Sequence, residues 1–514
     1  MANPPPKIRW AVLTIIALLA FAVRLPRLNE RPMHTDEAVN AYITGQLLDG
    51  NAYQYDPRDR HGPALYTIAV PLARAAGVHR YPELTESILR LGPVIAGMLT
   101  VALLSIAVRP AGFLNAAAAA VLFAIGPIAV YYHRYFIHES LFVAATVGFL
   151  LSVWYATHET ARRVRWSAAA GISAGLMIAC KETAILHFAA FAIAGVSACG
   201  PRIWQKRRDV GLLISPSSLL QQTFIMGIFF CVVVVLLYTW GGRHWQGLLD
   251  LGHSVPYSMS RTAGQGHEKP FAYYFGLLAG GWSGAPMLAL ATVGLANSFG
   301  SRRRFAASGT VAAENGAEEW FSFVAIYALA IAVVYSAIPY KTPWLALNLW
   351  LPLSLLVGRG VSVIWEATGR TAGKVSLAVV LVFLAGALGR DSWQRAFVHP
   401  VDAGNPFAYA HTSEGVLDLP DRVAQLARER NLGDQIRIAV VATDPWPLPW
   451  YLRRFPQTGF WKPDQDSGAQ DCYITMVDLP ESLRSRLKNW RPEFFELRPE
   501  VLVILWTLPA EDRP

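Results

Sequence analysis

Eleven apolar stretches constrain this chain more than any other feature of its sequence. Several approach twenty residues, the length that an α-helix needs to cross a bilayer core of roughly 30 Å. With 53% hydrophobic and only 16% charged residues, the composition is too apolar for an ordinary soluble domain. The chain is therefore predicted to be a polytopic α-helical membrane protein with about eleven transmembrane helices. The predicted spans cover residues 8–25, 86–107, 112–131, 139–157, 166–180, 183–199, 219–240, 271–295, 320–338, 344–359 and 374–390.

Basic residues lie in alternate connections between these spans and predict their orientation. The clusters Arg162–Arg165, Lys206–Arg208 and Arg302–Arg304 fall on the same side as the basic N-terminus. The positive-inside rule makes that side cytoplasmic. The net charge of +9 is therefore attributed to topology and not to nucleic-acid binding. Because Arg24–Arg27 follows the first span in place of a small-residue cleavage site, that span is expected to stay uncleaved.

The alternate connections are then predicted to face outward. An apolar segment at 64–78 could form a further span, but it is short and carries Pro71 and Arg74. Counting it as a span would place the basic loops outside, so a re-entrant or surface-lying helix is predicted there. The outward segments are 27–85, 132–138, 181–182, 241–270, 339–343 and the tail from 391.

The tail differs in character from the apolar region before it. Buried-strand patterns alternate with helical patterns, which is typical of a small α/β domain. We therefore predict a transmembrane domain at 1–390 and an extracytoplasmic α/β domain at 391–514, and find no Gly-rich loop that would bind a nucleotide. The predicted strands lie at 436–441, 472–477 and 501–505, and the predicted helices at 416–431 and 480–490. Neither metal-ligand spacing nor a disulfide framework is visible among Cys180, Cys199, Cys231 and Cys472.

An acidic pair, Asp36-Glu37, follows His34 and Thr35 just beyond the first span. In a structural interpretation, Thr35 caps a helix and the acidic residues interact with its dipole. In a catalytic interpretation, the pair is kept at the membrane surface despite its desolvation cost because chemistry needs it. Adjacent helical residues point about 100° apart, so only one carboxylate can address a given substrate atom. We predict Asp36 as the catalytic base, with Glu37 supporting it or binding substrate, and His34 and His61 of the same loop as substrate ligands.

A second polar cluster lies in the next outer loop. Arg134 and His138 are four residues apart and would share one helix face. Glu139 begins an apolar span, where a charged side chain is not expected to face lipid. An interfacial aromatic belt with a snorkelling arginine explains the neighbouring tyrosines but not the His-Glu pair. We predict that Arg134 and His138 bind substrate and that Glu139 is catalytic.

Two apolar spans meet at Lys181-Glu182 with almost no connection between them. These side chains could simply pair with each other. In the functional interpretation, Lys181 meets an anionic leaving group and Glu182 binds substrate.

Two later outer loops carry further polar residues. Tyr340 and Lys341 precede a span, where a Pro-bounded turn with an interfacial Trp is the structural alternative. His267 and Lys269 lie in a flexible loop that either holds substrate or is solvated filler. We predict that all four residues bind substrate.

Carboxylates, histidines and cations thus gather on the predicted outer face, which suits group transfer from a phosphate-linked donor. A carboxylate would take the proton of an acceptor hydroxyl, and Arg and Lys would stabilise the departing phosphate. An outward site has no access to cytoplasmic nucleotide sugars, so a polyprenyl-phosphate sugar is the expected donor. The sequence commits to no cofactor, and a divalent ion, Mg²⁺ or Mn²⁺, would suit the oxygen and nitrogen atoms of Asp36, His138 and Glu139.

These residues resemble those of the GT-C membrane glycosyltransferases, which include protein O-mannosyltransferases and the lipid A aminoarabinose transferase. Asp36-Glu37 matches the acidic pair of that superfamily in the first outer loop, and His61–Pro63 matches its His-containing turn. Glu139, with Arg134 before it, matches a second acidic position, and Lys181 matches a later lysine. The chain departs from the mannosyltransferases, which usually have Asp where Glu139 stands.

The chain also looks like the prokaryotic family described as flippase-activity-associated. The resemblance spans nearly the full length. It implies a multi-pass glycosyltransferase of the inner (plasma) membrane, with a cytoplasmic N-terminus and a polyprenyl-phosphate sugar donor, acting on a glycan, lipid or protein hydroxyl. The phrases that carry it are HTDEAVNAY, DRHGPALY, RYFIHESL, CKETA, GQGHEKP, PYKTPWLALNLW, NPFAYAHTS and VVATDPWPLPWYLRR.

The alternative is a lipid-linked sugar transporter or a flippase-associated accessory protein without transferase activity. Intramembrane charges are common in transporters as well. The sequence shows neither the inverted repeat nor the paired broken helices that such folds often have, which favours the enzyme.

Overall fold

The computed structural model describes residues 4–209, 216–261, 266–308 and 315–509. Helices dominate the first four-fifths of the chain, and a mixed sheet occupies the tail. The α-helices, numbered in chain order, are α1 (Pro6–Ala22), α2 (Thr35–Leu48), α3 (Ala64–Ala75), α4 (Glu86–Ile106), α5 (Val108–Ala111), α6 (Phe113–Ile125), α7 (Pro127–Tyr132), α8 (Glu139–His158), α9 (Arg163–Cys180), α10 (Ala184–Asp209), α11 (Pro216–Tyr238), α12 (Gln246–Arg261), α13 (Tyr273–Ala279), α14 (Gly281–Ser308), α15 (Asn315–Ala337), α16 (Ala346–Ala367), α17 (Thr371–Trp393), α18 (Asp418–Glu429), α19 (Leu448–Tyr451) and α20 (Glu481–Arg486).

Each predicted span falls on one helix or on two consecutive helices, which confirms the polytopic helical fold class. Six helices in the described part of the chain are long and apolar enough to cross a membrane, or seven if the bent pair α13–α14 counts as one span. The other predicted spans correspond to shorter or more polar helices, so the number eleven stays a prediction. Segment 64–78 is helical, as α3, with Pro71 inside it.

The predicted span over 271–295 falls on two helices with a sharp bend between them. α13 and α14 meet at a bend of 111°. Gly281 has a φ of +78°, and a β-carbon on it would lie 2.7 Å from Oδ2 of Asp391. A β-carbon on Gly284 would lie 2.4 Å from the carbonyl carbon of Ala279. The sharp turn therefore depends on glycine at these positions.

Contacts divide the chain into two compact units. The first, here the membrane unit, comprises Met1–Pro26, Ala52–Ile68 and Arg90–Val398. The second, here the tail unit, comprises Arg27–Asn51, Ala69–Leu89 and His399–Pro514. The tail unit thus includes parts of the first outer loop, and the predicted domain boundary after residue 390 stays a prediction.

Small residues let helices of the membrane unit approach closely. α9 packs on α8 and α11, and α16 packs on α6 and α14. On α9, a β-carbon at Gly171 would lie 2.3 Å from the carbonyl oxygen of Met226. At the α14–α16 contact, β-carbons on Gly294 and Gly360 would each lie 2.0 Å from a backbone oxygen of the facing helix. The backbones of α14 and α16 come into van der Waals contact because each helix carries a glycine at the contact. Van der Waals packing is one of the forces that hold helices together in lipid.

The tail unit contains a five-stranded mixed sheet, with strands β1 (Ile438–Val441), β2 (Thr458–Trp461), β3 (Cys472–Met476), β4 (Arg491–Arg498) and β5 (Val501–Thr507). Their order is β2-β1-β3-β5-β4. β1 pairs in parallel with β2 and β3, and Ile438 lies opposite Cys472, whereas β5 runs antiparallel to both β3 and β4. β1 is buried throughout, and Ala439 and Tyr473 form a core with α20 residue Leu483 and with Leu487, which follows that helix. The predicted small α/β tail is confirmed.

Some sequence features fall partly outside the described structure. α10 and α14 run through Lys206–Arg208 and Arg302–Arg304, whose side chains lie outside it, as does that of Cys199. Residues 264 and 265 of the predicted substrate loop also lie outside it. The described cysteines, Cys180, Cys231 and Cys472, are free thiols.

Candidate functional site

The acidic pair lies at the start of α2, in the tail unit. His34 is the N-cap of this helix. Thr35, the cap in the structural interpretation of the sequence, is instead the first residue of the helix. Nδ1 of His34 accepts a hydrogen bond of 3.1 Å from the backbone N–H of Asp36. A carboxylate oxygen of Glu37 accepts a bond of 3.2 Å from the backbone N–H of His34, which completes a capping box. The side chains of His34 and Glu37, on either side of Asp36 in the sequence, thus fix the start of α2.

Glu37 is fully buried and forms an ion pair with Arg31. One guanidinium nitrogen lies 3.2 Å from each carboxylate oxygen, and the Arg31 side chain is only 7% exposed. A buried carboxylate engaged with a cation and with the helix cap is fixed in position. These contacts give Glu37 a positioning role.

Asp36, by contrast, is half-buried, and no hydrogen bond or ion pair within the described ranges engages its carboxylate oxygens. Its backbone is fixed by the cap while its carboxylate remains available. Of the two adjacent acids, Asp36 is therefore the one that can accept a proton from a bound molecule, which is the geometry that general base catalysis needs.

Residues that follow α17 in the chain form hydrogen bonds with the start of α2, and both segments belong to the tail unit. Nε2 of His34 donates to the carbonyl oxygen of Tyr409 at 3.1 Å. The Thr412 hydroxyl donates to the carbonyl oxygen of Met33 at 2.7 Å, and Arg498 donates to the Thr35 hydroxyl at 3.0 Å. Burial lowers the pKa of His34 below its usual value, so this ring stays neutral and keeps Nδ1 as an acceptor.

His411 packs against His34 with ring centroids 5.5 Å apart, and burial lowers its pKa well below the usual value. His411, Arg31 and Arg498 were missed by the sequence reasoning. The phrase NPFAYAHTS was noted for its family likeness, and its histidine could have been singled out. Nothing in the sequence signals that residues far apart in the chain meet at one helix start.

In the membrane unit, a buried ion pair joins two of the predicted motifs. Nζ of Lys181 donates to Oε1 of Glu139, and both side chains are almost completely buried. Lys181 has an extended backbone between α9 and α10, and Glu139 is the first residue of α8. Burial opposes the charge of Lys181, but the Glu139 carboxylate prevails and raises the pKa of the lysine above its usual value. Lys181 therefore pairs with Glu139, 42 positions earlier in the chain, and not with its neighbour Glu182 as in the structural alternative.

Glu182 pairs with two residues of the connection between α2 and α3, which belong to the same unit. The Tyr55 hydroxyl donates to Oε1 at 2.8 Å, and Nδ1 of His61 lies 3.1 Å from Oε2. Burial alone would raise the pKa of Glu182, but these two partners lower it to about 2, so the group is ionised. Tyr55 is a site residue that the sequence reasoning missed, because tyrosines are common in this chain and carry no distinguishing spacing.

His138 lies beside the same loop. Its Nε2 donates to the carbonyl oxygen of Gly62 at 3.0 Å, and its ring meets that of His61 edge to face at 5.4 Å. Burial lowers the pKa of His138 well below its usual value. A β-carbon on Gly62 would lie 2.2 Å from the carbonyl oxygen of Ala179, so only glycine lets the loop pack on the end of α9. His61, His138, Glu139, Lys181 and Glu182 thus form one cluster, here called the α9–α10 cluster.

The two later loops pair with each other by a short antiparallel bridge between Glu268 and Tyr340. The backbone N–H of Lys341 donates to the carbonyl oxygen of His267 at 3.0 Å, and that of Lys269 donates to the carbonyl oxygen of Pro339 at 3.2 Å.

Lys341 is buried and carries a positive charge that no described carboxylate neutralises. Its Nζ donates to the carbonyl oxygens of Lys269 at 3.0 Å and Ile338 at 2.5 Å. Burial lowers its pKa from the usual value. An ammonium group has three donor hydrogens, so one remains for an anionic ligand.

Arg134 is engaged with backbone oxygens. It donates to the carbonyl oxygens of Arg24 at 2.7 Å and Pro26 at 2.6 Å, and its guanidinium lies 4.3 Å from the ring centroid of Phe397. These contacts hold the end of the first span. Its predicted phosphate contact stays a prediction.

The divalent ion also stays a prediction. Among the residues that the structure describes, no group of three or more His, Cys, Asp or Glu side chains is arranged to hold a metal ion. The side chains of the α9–α10 cluster instead bind one another.

Comparisons with known proteins fit this architecture. Residues 14–245 match the family model of dolichyl-phosphate-mannose-protein mannosyltransferase. No curated protein sequence matches the chain. The crystal structure of ArnT from Cupriavidus metallidurans bound to undecaprenyl phosphate is similar with a TM-score of 0.64 and 14% identity, over 98% of this chain and 99% of that chain. The archaeal oligosaccharyltransferase AglB from Archaeoglobus fulgidus, in complex with an inhibitory peptide and a dolichol-phosphate, gives a TM-score of 0.55 and 13% identity, over 98% of this chain and 75% of that chain. At these identities the likeness establishes the fold, which is that of the GT-C membrane proteins.

Proposed function

We propose that this protein is an integral-membrane glycosyltransferase that moves a sugar from a polyprenyl-phosphate donor to an acceptor hydroxyl on the extracytoplasmic face. The observation that carries the proposal is the contrast within the acidic pair. Glu37 is buried and bound to Arg31, whereas the Asp36 carboxylate is held at a capped helix start with its oxygens available. An available carboxylate on a rigid support is what activation of a hydroxyl requires.

The class of donor is inferred from topology and from the comparisons. The positions of the basic clusters favour an outer face for the candidate residues, away from nucleotide sugars. ArnT was crystallised with undecaprenyl phosphate, and AglB was captured with a dolichol-phosphate. A polyprenyl phosphate is the donor class that suits an outward site in this fold, and the matched family model is named for a dolichyl-phosphate-mannose donor.

In the proposed reaction, Asp36 takes the proton of the acceptor hydroxyl. The acceptor oxygen forms a bond to the anomeric carbon of the sugar, and the bond from that carbon to the phosphate oxygen breaks. The electron pair of the broken bond leaves with polyprenyl phosphate. Cationic donors aimed at this leaving group lower the barrier, because its charge develops in the transition state.

Lys341 is the proposed cation for the phosphate, since its charge is not neutralised by a described carboxylate. The Lys181–Glu139 ion pair holds a buried cation and a buried anion within the α9–α10 cluster. Glu182, held by Tyr55 and His61, is proposed to bind sugar hydroxyls, for which an ionised carboxylate is a strong acceptor. A divalent ion near Asp36, His138 or Glu139 remains a further proposal.

The proposed location is a prokaryotic inner membrane, with the N-terminus in the cytoplasm and the tail outside. The acceptor is a glycan, a lipid or a protein. Kinship with the flippase-activity-associated family is inferred from the shared phrases around Asp36, Glu139 and Lys181.

The test uses full-length protein reconstituted in liposomes with a polyprenyl-phosphate mannose labelled in the sugar. The expected result is transfer of label to a membrane-derived acceptor fraction, with release of polyprenyl phosphate that the Asp36→Asn variant does not support. Movement of labelled lipid across the bilayer without bond cleavage would instead identify a transporter and overturn the proposal. The control is Asp49→Asn, which removes a carboxylate after the C-terminus of the same helix.

A further inference from the structure

The sheet of the tail unit has a topological switch point, a position where α/β sheets commonly bind ligands. In the order β2-β1-β3-β5-β4, β1 pairs in parallel with β2 on one side and with β3 on the other. The chain passes from β1 to the first neighbour and then crosses back to the second. In sheets with this connectivity, ligands bind beyond the carboxyl ends of the strands at the point where the direction changes. The segment directly after β1 is therefore a candidate binding position.

Charged and aromatic side chains lie at this edge of the sheet. Asp444 and Trp446 follow β1 closely. β4 runs in the same direction as β3, because both are antiparallel to β5, so its last residue, Arg498, lies at the same edge. A guanidinium nitrogen of Arg498 donates to the carbonyl oxygen of Trp446 at 2.6 Å and lies 3.7 Å from a carboxylate oxygen of Asp444. The Asp444 side chain is nevertheless 58% exposed, so it can accept further hydrogen bonds from a ligand.

Tyr42 of α2 adds an exposed aromatic ring to these groups. Its ring centroid lies 5.9 Å from that of Trp446 and 5.6 Å from that of Tyr81, in edge-to-face contacts. Tyr81 lies directly on α2, because a β-carbon on Gly45 would be only 2.4 Å from its ring. Tyr42 is thus held between two other rings and is still 38% exposed. The four residues that line this edge, here called the sheet-edge site, are Tyr42, Asp444, Trp446 and Arg498.

The sheet-edge site borders the helix start that carries the candidate base. Arg498 donates to the hydroxyl of Thr35, the residue before Asp36, at 3.0 Å. Thr35 and Tyr42 are seven residues apart and share one face of α2, about 10 Å from each other along the helix axis. All of these residues belong to the tail unit. A molecule that lies along this face can therefore contact the sheet-edge site and reach the start of the helix.

The segment after β1 is fixed by hydrogen bonds within the tail unit. The backbone N–H of Met33 donates to the Tyr451 hydroxyl at 2.8 Å, and Nε1 of Trp450 donates to a carboxylate oxygen of Glu86 at 2.7 Å. Arg453 donates to the carbonyl oxygen of Leu84 at 2.9 Å. A site whose groups are already held in place loses little conformational entropy when a ligand binds.

We propose that the sheet-edge site binds the acceptor of the transfer reaction and that this acceptor is a glycan. The inference rests on the proposed function. The apolar face of a sugar ring lies against the ring of Tyr42. Neighbouring sugar hydroxyls donate to the carboxylate of Asp444 and accept from the guanidinium of Arg498, and both hydrogen bonds are charge-assisted. The next sugar then presents its reactive hydroxyl to Asp36.

The same groups suit other acceptors less well. An acyl chain offers nothing to the charges of Asp444 and Arg498. An extended peptide binds best to a free strand edge, whereas β1 is paired on both sides. Alternating CH faces and hydroxyls, as in a sugar, match an exposed ring beside a carboxylate and a guanidinium.

The first test measures binding without turnover. Full-length Asp36→Asn protein in nanodiscs is mixed in turn with methyl glycosides of mannobiose, maltose, lactose and diacetylchitobiose, with a threonine-containing hexapeptide, and with a short-chain phosphatidylglycerol. Saturation-transfer NMR, corrected for empty nanodiscs, is expected to show binding of a disaccharide. Binding of the peptide or the phospholipid alone, or of none of these probes, would overturn the proposal.

Variants made in the same Asp36→Asn background locate the bound disaccharide. Tyr42→Leu is expected to weaken its binding roughly fivefold, through loss of the aromatic face. Asp444→Asn is expected to weaken it roughly tenfold, through loss of a charged acceptor. Phe494→Leu, which removes a 61% exposed ring from β4, is the matched control and is expected to bind like the parent. Unchanged binding in Asp444→Asn, whose exposed side chain makes misfolding unexpected, would show that the disaccharide binds elsewhere.

The second test separates this proposal from the transferase proposal. With Asp36 intact, Tyr42→Leu is expected to raise the KM for the bound disaccharide as acceptor roughly fivefold and to leave kcat nearly unchanged, as loss of uniform binding does. Disaccharide binding at the sheet-edge site without any sugar transfer would refute the transferase and leave the glycan site standing. Transfer to a peptide or a lipid, without disaccharide binding, would refute the glycan site and leave the transferase standing.

Discussion

Exchanging the two neighbouring acids for amides, one at a time, is expected to give opposite phenotypes. Asp36→Asn keeps the size of the side chain and removes its ability to accept a proton. Its carboxylate oxygens have no described partner, so the change is expected to alter stability by no more than about 0.5 kcal/mol. Loss of a general base is expected to lower the transfer rate by roughly 10²–10⁴-fold.

Glu37→Gln is expected to act on stability first. The side chain is fully buried, with both oxygens 3.2 Å from a guanidinium nitrogen of Arg31. Removing one charge of a buried ion pair costs roughly 3–5 kcal/mol, because the other charge stays in a poorly solvated place. The capping box itself can persist, because the amide oxygen of glutamine can still accept from the backbone N–H of His34, so the expected cost is that of the lost charge.

The assay pairs two measurements on the same reconstituted samples. Transfer of labelled sugar gives the rate, and thermal unfolding followed by size exclusion gives the stability. Asp36→Asn should be stable and inactive, and Glu37→Gln should be destabilised, with residual activity in proportion to its folded fraction. A stable and inactive Glu37→Gln, or an Asp36→Asn variant with a rate near that of the wild type, would refute the assignment of roles.

Four further predictions concern the rest of the site. Lys341→Ala is expected to raise the KM for the lipid donor at least tenfold, with partial recovery in Lys341→Arg, measured by initial rates at varied donor concentration; an unchanged KM contradicts the phosphate role. Lys181→Met is expected to lose roughly 3–5 kcal/mol of stability, and adding Glu139→Leu to restore most of it without activity, as melting curves and rates would show. Because burial lowers the pKa of His34, its neutral form stabilises the folded state fully above about pH 6.5 and progressively less as the pH falls below that value, and His34→Asn is expected to reduce this slope in pH-dependent melting. Gly62→Ala is expected to lower the yield of folded protein, since its β-carbon would lie 2.2 Å from a backbone oxygen; normal yield and activity would show that the loop can move aside.

Sequence patterns predicted the helices of this protein well. Apolar runs specify where helices form, because a backbone in lipid must satisfy its own hydrogen bonds. The bend between α13 and α14 was missed because apolarity continues across Gly280 and Gly281, and the closeness of Asp391, which leaves no room for a side chain at residue 281, is visible only in the structure.

In the tail, the three buried strands were found by their apolar runs, and β2 and β4 were missed. β2 (Thr458–Trp461) has only four residues, and β4 (Arg491–Arg498) carries charges at both ends. Both lie at the edges of the sheet, where one side of the strand has no neighbour and apolar side chains are not required. Edge strands of this kind give a weak signal in any single sequence.

For the site, the sequence identified which residue types gather in the loops, and the structure supplied their partners. Glu139 and Lys181 could be singled out because charges beside apolar spans are costly. Their pairing could not be predicted, since it depends on how α8 meets the end of α9. The partner of Glu37 could not be predicted either. Arg31 is close in the sequence, but nothing distinguishes it there from the other arginines of the chain.

The connection between α9 and α10 has a consequence for the biogenesis of this protein. The two helices are separated only by Lys181, Glu182 and Thr183. So short a connection means that neither helix can insert into a bilayer independently of the other. In the predicted topology both helices cross the bilayer, and the pair would enter it as a helical hairpin with a lysine and a glutamate at its tip. Glu139 and His61 precede this tip in the chain, so Lys181 meets the carboxylate of Glu139, and Glu182 the ring of His61, on segments that are already synthesised.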